Sequence, residues 1–335
     1  MTIVLLIISF IVILAGCELF VNGVEWFGRK LNLGEGAVGS VLAAVGTALP
    51  ETVIPLIAIL VSGGDSGHEI GIGAILGAPF MLSTLAIFVC GISIVIFSLT
   101  KRRTLKVRYN RTIMRRDLAY FLIAYTIAVV CGLFNIGFFR YVVAVLLIVG
   151  YAFYVRRTMA SEGDLQGECR SLYFHRTAES PQLGRVILQL IVALAAIILG
   201  ADLFVEQLTK VAESLGVPAL VISLLLTPVA TELPEKFNSV LWMRDKKDTL
   251  ALGNITGAMV FQSTFPVAIG LAFTDWRLWG GGDWHAVVAA GVAILSGLIL
   301  YGRLRLAKSG FGVGSLLLGG ILYGAFLGVT LWSIL

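Results

Sequence analysis

Ten stretches of this chain run for roughly 20 residues or more with almost no charge, and little else limits its fold so tightly. They lie near 3–27, 36–62, 69–99, 117–135, 138–156, 184–208, 217–243, 248–274, 284–302 and 311–334. Lipid offers the backbone no hydrogen bonds, so such runs must be helices or strands of a closed barrel. Barrel strands would show short segments of alternating polarity, which are absent here. With 58% hydrophobic residues, 13% charged residues and a mean hydropathy of +0.94, the 335-residue chain cannot clothe itself for water. The expected fold class is an all-α integral membrane protein of ten transmembrane helices, several long enough to tilt or break.

The charges are sorted by side. Of the 25 Lys and Arg residues, 21 fall in alternate loops: 28–35, 100–116, 156–185, 244–247 and 303–308. The 100–116 loop alone holds Lys101, Arg102, Arg103, Lys106, Arg108, Arg111, Arg115 and Arg116. The opposite side has Arg140, Lys210 and Arg277, and Lys236 sits inside a span. This asymmetry puts the basic loops in the cytoplasm of a multi-pass cell (inner) membrane protein and both termini outside. It also accounts for the net charge of +5 without nucleic acid. The basic 101–116 loop reads first as an anchor, although such a cluster also suits anionic lipid. Only 157–183 is long enough for a mobile linker. Leu14-Ala15-Gly16-Cys17 resembles a lipoprotein cleavage box, but no basic residue precedes it. Cys17, Cys90, Cys131 and Cys169, with His68, His175 and His285 far apart, suggest neither disulfides nor zinc.

The chain repeats itself. Gly16-Cys17-Glu18-Leu19-Phe20-Val21 matches Gly200-Ala201-Asp202-Leu203-Phe204-Val205 at an offset of 184. At the same offset Val45-Gly46-Thr47-Ala48-Leu49-Pro50-Glu51 matches Val229-Ala230-Thr231-Glu232-Leu233-Pro234-Glu235. Gly73-Ala74-Ile75-Leu76-Gly77-Ala78 matches Gly253-Asn254-Ile255-Thr256-Gly257-Ala258 at 180. Five spans per half is an odd number, so the second half enters from the opposite face and the two are inverted repeats. The expected units are an N-terminal five-helix repeat over 1–157, a cytoplasmic linker over 158–183 and a C-terminal inverted repeat over 184–335.

Glu51 and Glu235 occupy equivalent places near the middle of spans two and seven. A carboxylate there costs at least about 2.5 kcal/mol, which implies a cavity lined for ions or water. Pro50 and Pro234 each remove a backbone donor and loosen the carbonyls of Gly46 and Ala230. Thr47 and Thr231, four residues before each Glu, share its face. Carboxylates, hydroxyls and freed carbonyls form a hard oxygen set suited to calcium or sodium. Asn254 adds an amide oxygen where its counterpart is Ala74, and Gln262 follows about two turns later. Gly73, Gly77, Gly253 and Gly257 are spaced for close helix approach. Glu18, Asp202 and Glu206 fall in spans one and six. The first two suit either a hydrated vestibule or an ion pair, and Glu206 faces outside water. Asp65, His68 and Glu69 read as a solvated turn.

These blocks resemble the alpha-repeats of the sodium/calcium exchanger branch of the calcium:cation antiporter superfamily. The resemblance implies a core of spans two, three, seven and eight, Glu51 and Glu235 as central ligands, Thr47 and Thr231 assisting, and spans one and six sliding past. The chain departs from the family's small hydroxyl residue after Thr, having Ala48 and Glu232. It also has Ala74 for an Asn, Ala78-Pro79 and Ala258-Met259 for a small polar stretch, and Leu82 and Gln262 for the last amide or acid. Glu232 shares a face with Glu235, and Lys236 lies four residues after Glu232. Either Lys236 neutralises Glu232, leaving a net −2 site for one divalent ion, or it replaces a bound monovalent cation. The implied activity is antiport of calcium for sodium by alternating access, with Glu51, Glu235, Thr47, Thr231, Asn254 and Glu232 as the ion ligands. A calcium/proton antiporter and, in a different class, a cation channel are the alternatives. No enzyme motif is present, no cofactor is implied beyond the transported Ca2+ and Na+, and the expected partners are inorganic cations and the lipid bilayer, with neither nucleic acid nor an obligatory protein partner.

Overall fold

The computed structural model describes residues 2–33, 38–44, 48, 51–52, 55–56, 59–60, 64–134, 137–160, 170–175, 180–214, 232–278, 284–306 and 312–334. Its helices are α1 (Thr2–Lys30), α2 (Gly64–Met81), α3 (Ile87–Leu99), α4 (Arg111–Phe134), α5 (Phe139–Met159), α6 (Leu183–Ser214), α7 (Leu233–Arg244), α8 (Asp248–Gln262), α9 (Phe265–Phe273), α10 (Trp284–Leu306) and α11 (Val313–Ile334). π-Helical turns occupy Val38–Ala43 and Leu82–Ala86, the latter joining α2 to α3. Among the described residues eight helical segments are long and apolar enough to cross a bilayer, with α2–α3 and α8–α9 each forming one. The two remaining expected spans, 36–62 and 217–243, run through residues outside the described set. Basic residues close the last turns of α1, α5 and α10, where a cation complements the helix dipole.

Three expectations shift. Span four begins at Arg111 rather than 117, because the Asn110 side chain accepts the Thr112 and Ile113 N–H groups at 3.0 and 3.2 Å and caps the helix inside the basic stretch. Asp65, His68 and Glu69 lie in the opening turns of α2 instead of a loop, where acidic residues favour the helix start. Part of the presumed mobile linker, 170–175, is docked along α1 and α6. Asn22 and Gln189, amides inside two apolar helices, need partners there and take them from the linker backbone.

The inverted repeat is visible in the packing of α1 on α6. Gly16 abuts Ala193 and Ile197, while Gly200 abuts Ser9 and Ile13, leaving no room for a side chain at either glycine. Each residue of one contact lies 184 positions from its mate in the other, as a two-fold axis requires. The other distortions repeat as well. Ser83 and Thr84 bend α2–α3 by donating to the Phe80 carbonyl, and Ser263 and Thr264 donate to that of Val260 where α8 gives way to α9. Both sets are 180 residues apart, which extends the third repeat block beyond Ala78 and Ala258.

At the centre stands α8, buried from Leu250 through Gln262. A helix apolar all round belongs inside a bundle. Around it α4, α5, α10 and α11 turn Ile123, Val145, Leu146, Leu298 and Ile321 outward as a lipid-facing surface.

Candidate ion site

Glu51 is 3% exposed and Glu235 is 1% exposed, so both carboxylates are inside the bundle. Glu235 lies in the first turn of α7, with Pro234 at the helix start. A missing N–H costs nothing at that position, and the free N–H groups of a first turn favour an anion. Thus a helix of span seven begins at its acid. Pro50, Gly46 and Ala230, as well as Thr47 and Thr231, lie outside the described residues.

Two amides of α8 reach the two acidic segments. Asn254 Nδ2 donates to the Glu235 carbonyl at 3.2 Å and to Ser239 Oγ at 3.3 Å. Two turns on, Gln262 Nε2 approaches the Ala48 carbonyl at 3.5 Å, three residues before Glu51. Each amide spends its N–H group on the neighbouring backbone. Asn254 Oδ1 and Gln262 Oε1 are buried with no hydrogen-bond partner among the described residues, as are both polar atoms of Asn238, one turn after Glu235. Uncommitted buried oxygens are costly unless something fills the space between them. Sequence reasoning passed over Asn238, whose signal was its i+3 spacing from Glu235 on a buried face.

The helix directions matter too. Gly39 sits against Leu250, Ser40 against Gly253 and Gly257, and Ala48 near Gln262, so span two runs parallel to α8. In contrast, α7 and α8 form an antiparallel pair across Ser239, which donates to the Ala251 carbonyl at 3.0 Å. Glu51 and Glu235 therefore ride on helices of opposite direction.

Lys236 Nζ meets Glu232 Oε2 at 2.7 Å, with side-chain exposures of 8% and 1%. Glu232 Oε1 has no partner among the described residues. The equivalents of this pair in the first half are Ala48 and Thr52, and Thr52 Oγ1 donates to the Ala48 carbonyl at 3.2 Å. The second half thus replaces a neutral i,i+4 pair by an acid and a base together. Among the described residues no three His, Cys, Asp or Glu side chains converge in a metal-binding group.

Below the site lies a cavity of about 470 Å³, bordered by Glu18, Asn22, Glu25, Arg170, Tyr173 and Asp245. Glu18 both lines this vestibule and is paired: Tyr173 Oη donates to it at 2.8 Å, and Arg170 reaches it at 3.4 Å and Asp245 at 3.6 Å. The docked linker so ties α1 to the end of α7 across the cavity. Glu25 adds a second tie, accepting from Trp242 Nε1 at 2.8 Å and Lys247 Nζ at 2.5 Å. The side chains of Asp202 and Glu206 lie outside the described residues.

Asp117, unremarked in the sequence, is fully buried and joins four elements. It accepts Ser40 Oγ at 2.6 Å, Thr256 Oγ1 at 2.9 Å, Tyr154 Oη at 3.1 Å and Arg116 Nη2 at 3.1 Å. Those bonds hold span two and α8 in register.

A helical membrane bundle of two inverted halves, with buried acids on helices of opposed direction, defines a transporter. The sodium/calcium exchanger protein family model matches residues 1–159 and 185–335, and the chain belongs to that family, within the calcium:cation antiporter superfamily. The sodium-calcium exchanger NCX_Mj has the same fold, with a TM-score of 0.72 at 22% identity over 98% of this chain and 97% of that one. Inner membrane protein YrbG of Escherichia coli (strain K12) is 24% identical over 332 residues, 95% of this chain and 94% of its own. The sodium/calcium exchanger MaX1 of Methanosarcina acetivorans is 40% identical over 74 residues, covering 22% of this chain and 21% of that protein.

Proposed function

We propose that this cation antiporter exchanges calcium for sodium by alternating access, with Glu51 and Glu235 as central ligands. Thr47, Thr231 and Asn254 add neutral oxygens, and Glu232 stands beside them under the charge of Lys236. The observation that carries this reading is the burial of Glu51 and Glu235 on opposed helices, each bordered by an α8 amide whose oxygen is uncommitted among the described residues. Two carboxylates match the charge of one calcium ion, and amide and hydroxyl oxygens are hard ligands that replace its water. Sodium competes for the same oxygens, so either ion, but not both, satisfies the buried acids. An empty site leaves two carboxylates desolvated, which disfavours crossing without cargo and enforces exchange. The names borne by NCX_Mj and MaX1 support this cargo. The basic loops face the cytoplasm in this arrangement, and both termini lie outside.

The test is calcium uptake into liposomes carrying the purified chain, first under an imposed sodium gradient and then under a pH gradient. Sodium-driven uptake that Glu51→Gln abolishes is the expected result. Drive by protons alone would assign the calcium/proton alternative, and full activity in Glu51→Gln would remove that residue from the mechanism.

A further inference from the structure

We propose that the basic cleft between the end of α3 and the α7–α8 turn is a binding site for the phosphate headgroup of an anionic phospholipid. The cleft is a cavity of about 670 Å³ lined by Lys101, Arg102, Lys106 and Arg108 from the segment after α3 and by Lys246 from the α7–α8 turn. Its back wall is built and neutralised internally. The Arg103 guanidinium closes on both oxygens of Asp248 at 2.7 and 2.8 Å and donates to the Met243 carbonyl at 2.7 Å, and the Arg108 N–H also bonds Asp248 at 2.8 Å. That arrangement consumes the acid of the lining. The five remaining cations have no acidic partner within ion-pair distance among the described residues.

Lys101 and Lys246 close α3 and α7 in left-handed backbone, with φ of 58° and 63°, and the next N–H groups bond back to the Phe97 and Trp242 carbonyls, so both helix ends present a lysine to the cleft. A further observation points to an occupant. Beside the cations, Leu99 is 78% and Leu105 55% exposed. A rim that mixes apolar side chains with Lys and Arg fits the boundary between headgroups and acyl chains, where a phospholipid presents both. Free phosphate has no use for the leucines. Plain topological anchoring needs the charges but not a cleft with a fixed rear wall. The site spans the end of α3 and the turn between the helices carrying Glu235 and Asn254, so a bound headgroup staples that turn. This last consequence rests on the antiport reading, whereas binding itself does not.

The experiment titrates phosphatidylglycerol, and separately phosphatidylcholine, into the detergent-purified full chain and counts bound lipid by native mass spectrometry, with no flux assay involved. K101Q/R102Q/K246Q is compared with R156Q/R157Q/R303Q, which removes the same charge from exposed positions in other basic loops. Each Lys or Arg beside an anionic headgroup is worth about fivefold, so phosphatidylglycerol affinity falls about a hundredfold in the first variant and far less in the second. Lys246→Gln alone, in an exposed turn, loses about fivefold. Equal losses in both triple variants, or no preference for phosphatidylglycerol over phosphatidylcholine, would overturn the proposal. Displacement of phosphatidylglycerol by millimolar inorganic phosphate would assign the cleft to a soluble anion and overturn the lipid.

Discussion

Replacing Lys236 by Ala strands Glu232 in the bundle. The pair is 2.7 Å apart and nearly solvent-free, and the second oxygen of Glu232 finds no partner among the described residues. Removing one member of a buried ion pair costs about 3–5 kcal/mol, because the surviving charge keeps its desolvation penalty without its counter-charge. For a chain of this size each kcal/mol moves a thermal midpoint by roughly 2 °C, so Lys236→Ala is expected to melt roughly 6–10 °C lower. The double variant E232A/K236T behaves differently. It installs the residues of the first half, Ala48 and Thr52, whose side chain and backbone already satisfy each other at the same spacing. It leaves no charge at either position and is expected within about 1 kcal/mol of the parent. Midpoints in detergent for the two single variants and the double close a cycle whose coupling is the worth of the pair. Additive losses would refute the reasoning. Sodium dependence of calcium uptake then separates the roles of Lys236. Steeper sodium activation in the double variant means the lysine occupies a cation's place, whereas unchanged cooperativity means it only neutralises Glu232.

Other outcomes follow from the same geometry. Gly257→Ala drives a methyl group into the backbone of Ser40 and is expected to cost about 1–3 kcal/mol by thermal midpoint, while Gly253→Ala, facing the Ser40 hydroxyl, costs less. Asn22→Leu removes the amide that bonds the linker at Arg170, Ser171 and Tyr173, and hydrogen exchange of the Tyr173 amide should quicken by about tenfold or more. Burial, then the hydrogen bond to Glu18 and its charge, raises the Tyr173 phenol above its ordinary range. Since the docked state favours the protonated phenol, its contribution is complete below about pH 10 and lost as pH rises beyond it, seen as faster exchange of 170–175 in alkali. Tyr173→Phe abolishes that alkaline step, and persistence of the step would assign it elsewhere.

The acids at 51, 232 and 235 were legible because a charge inside an apolar run stands out and the repeat pairs two of them. Lys236 was legible as a partner because i,i+4 spacing is local. Asp117 was not, since it directly follows Arg115 and Arg116 and looks like the end of the basic loop. Its partners Ser40 and Thr256 lie 77 and 139 residues away. The docking of 170–175 was equally hidden. Its cause is Asn22 and Gln189, amides that read as tolerated polar residues until the two helices stand side by side.

What the sequence by itself determined is the solvent, the sorting of basic residues into alternate loops and the pairing of the halves, because hydropathy and charge act locally and a repeat is written in order. Tertiary structure alone decided which polar groups meet: the clasp of Asp117 across four elements, the Arg103–Asp248 wall and the linker over the vestibule. In a bilayer a buried polar group has to find a partner within the protein. Which partner it finds depends on which helices lie side by side, and linear spacing carries no such information.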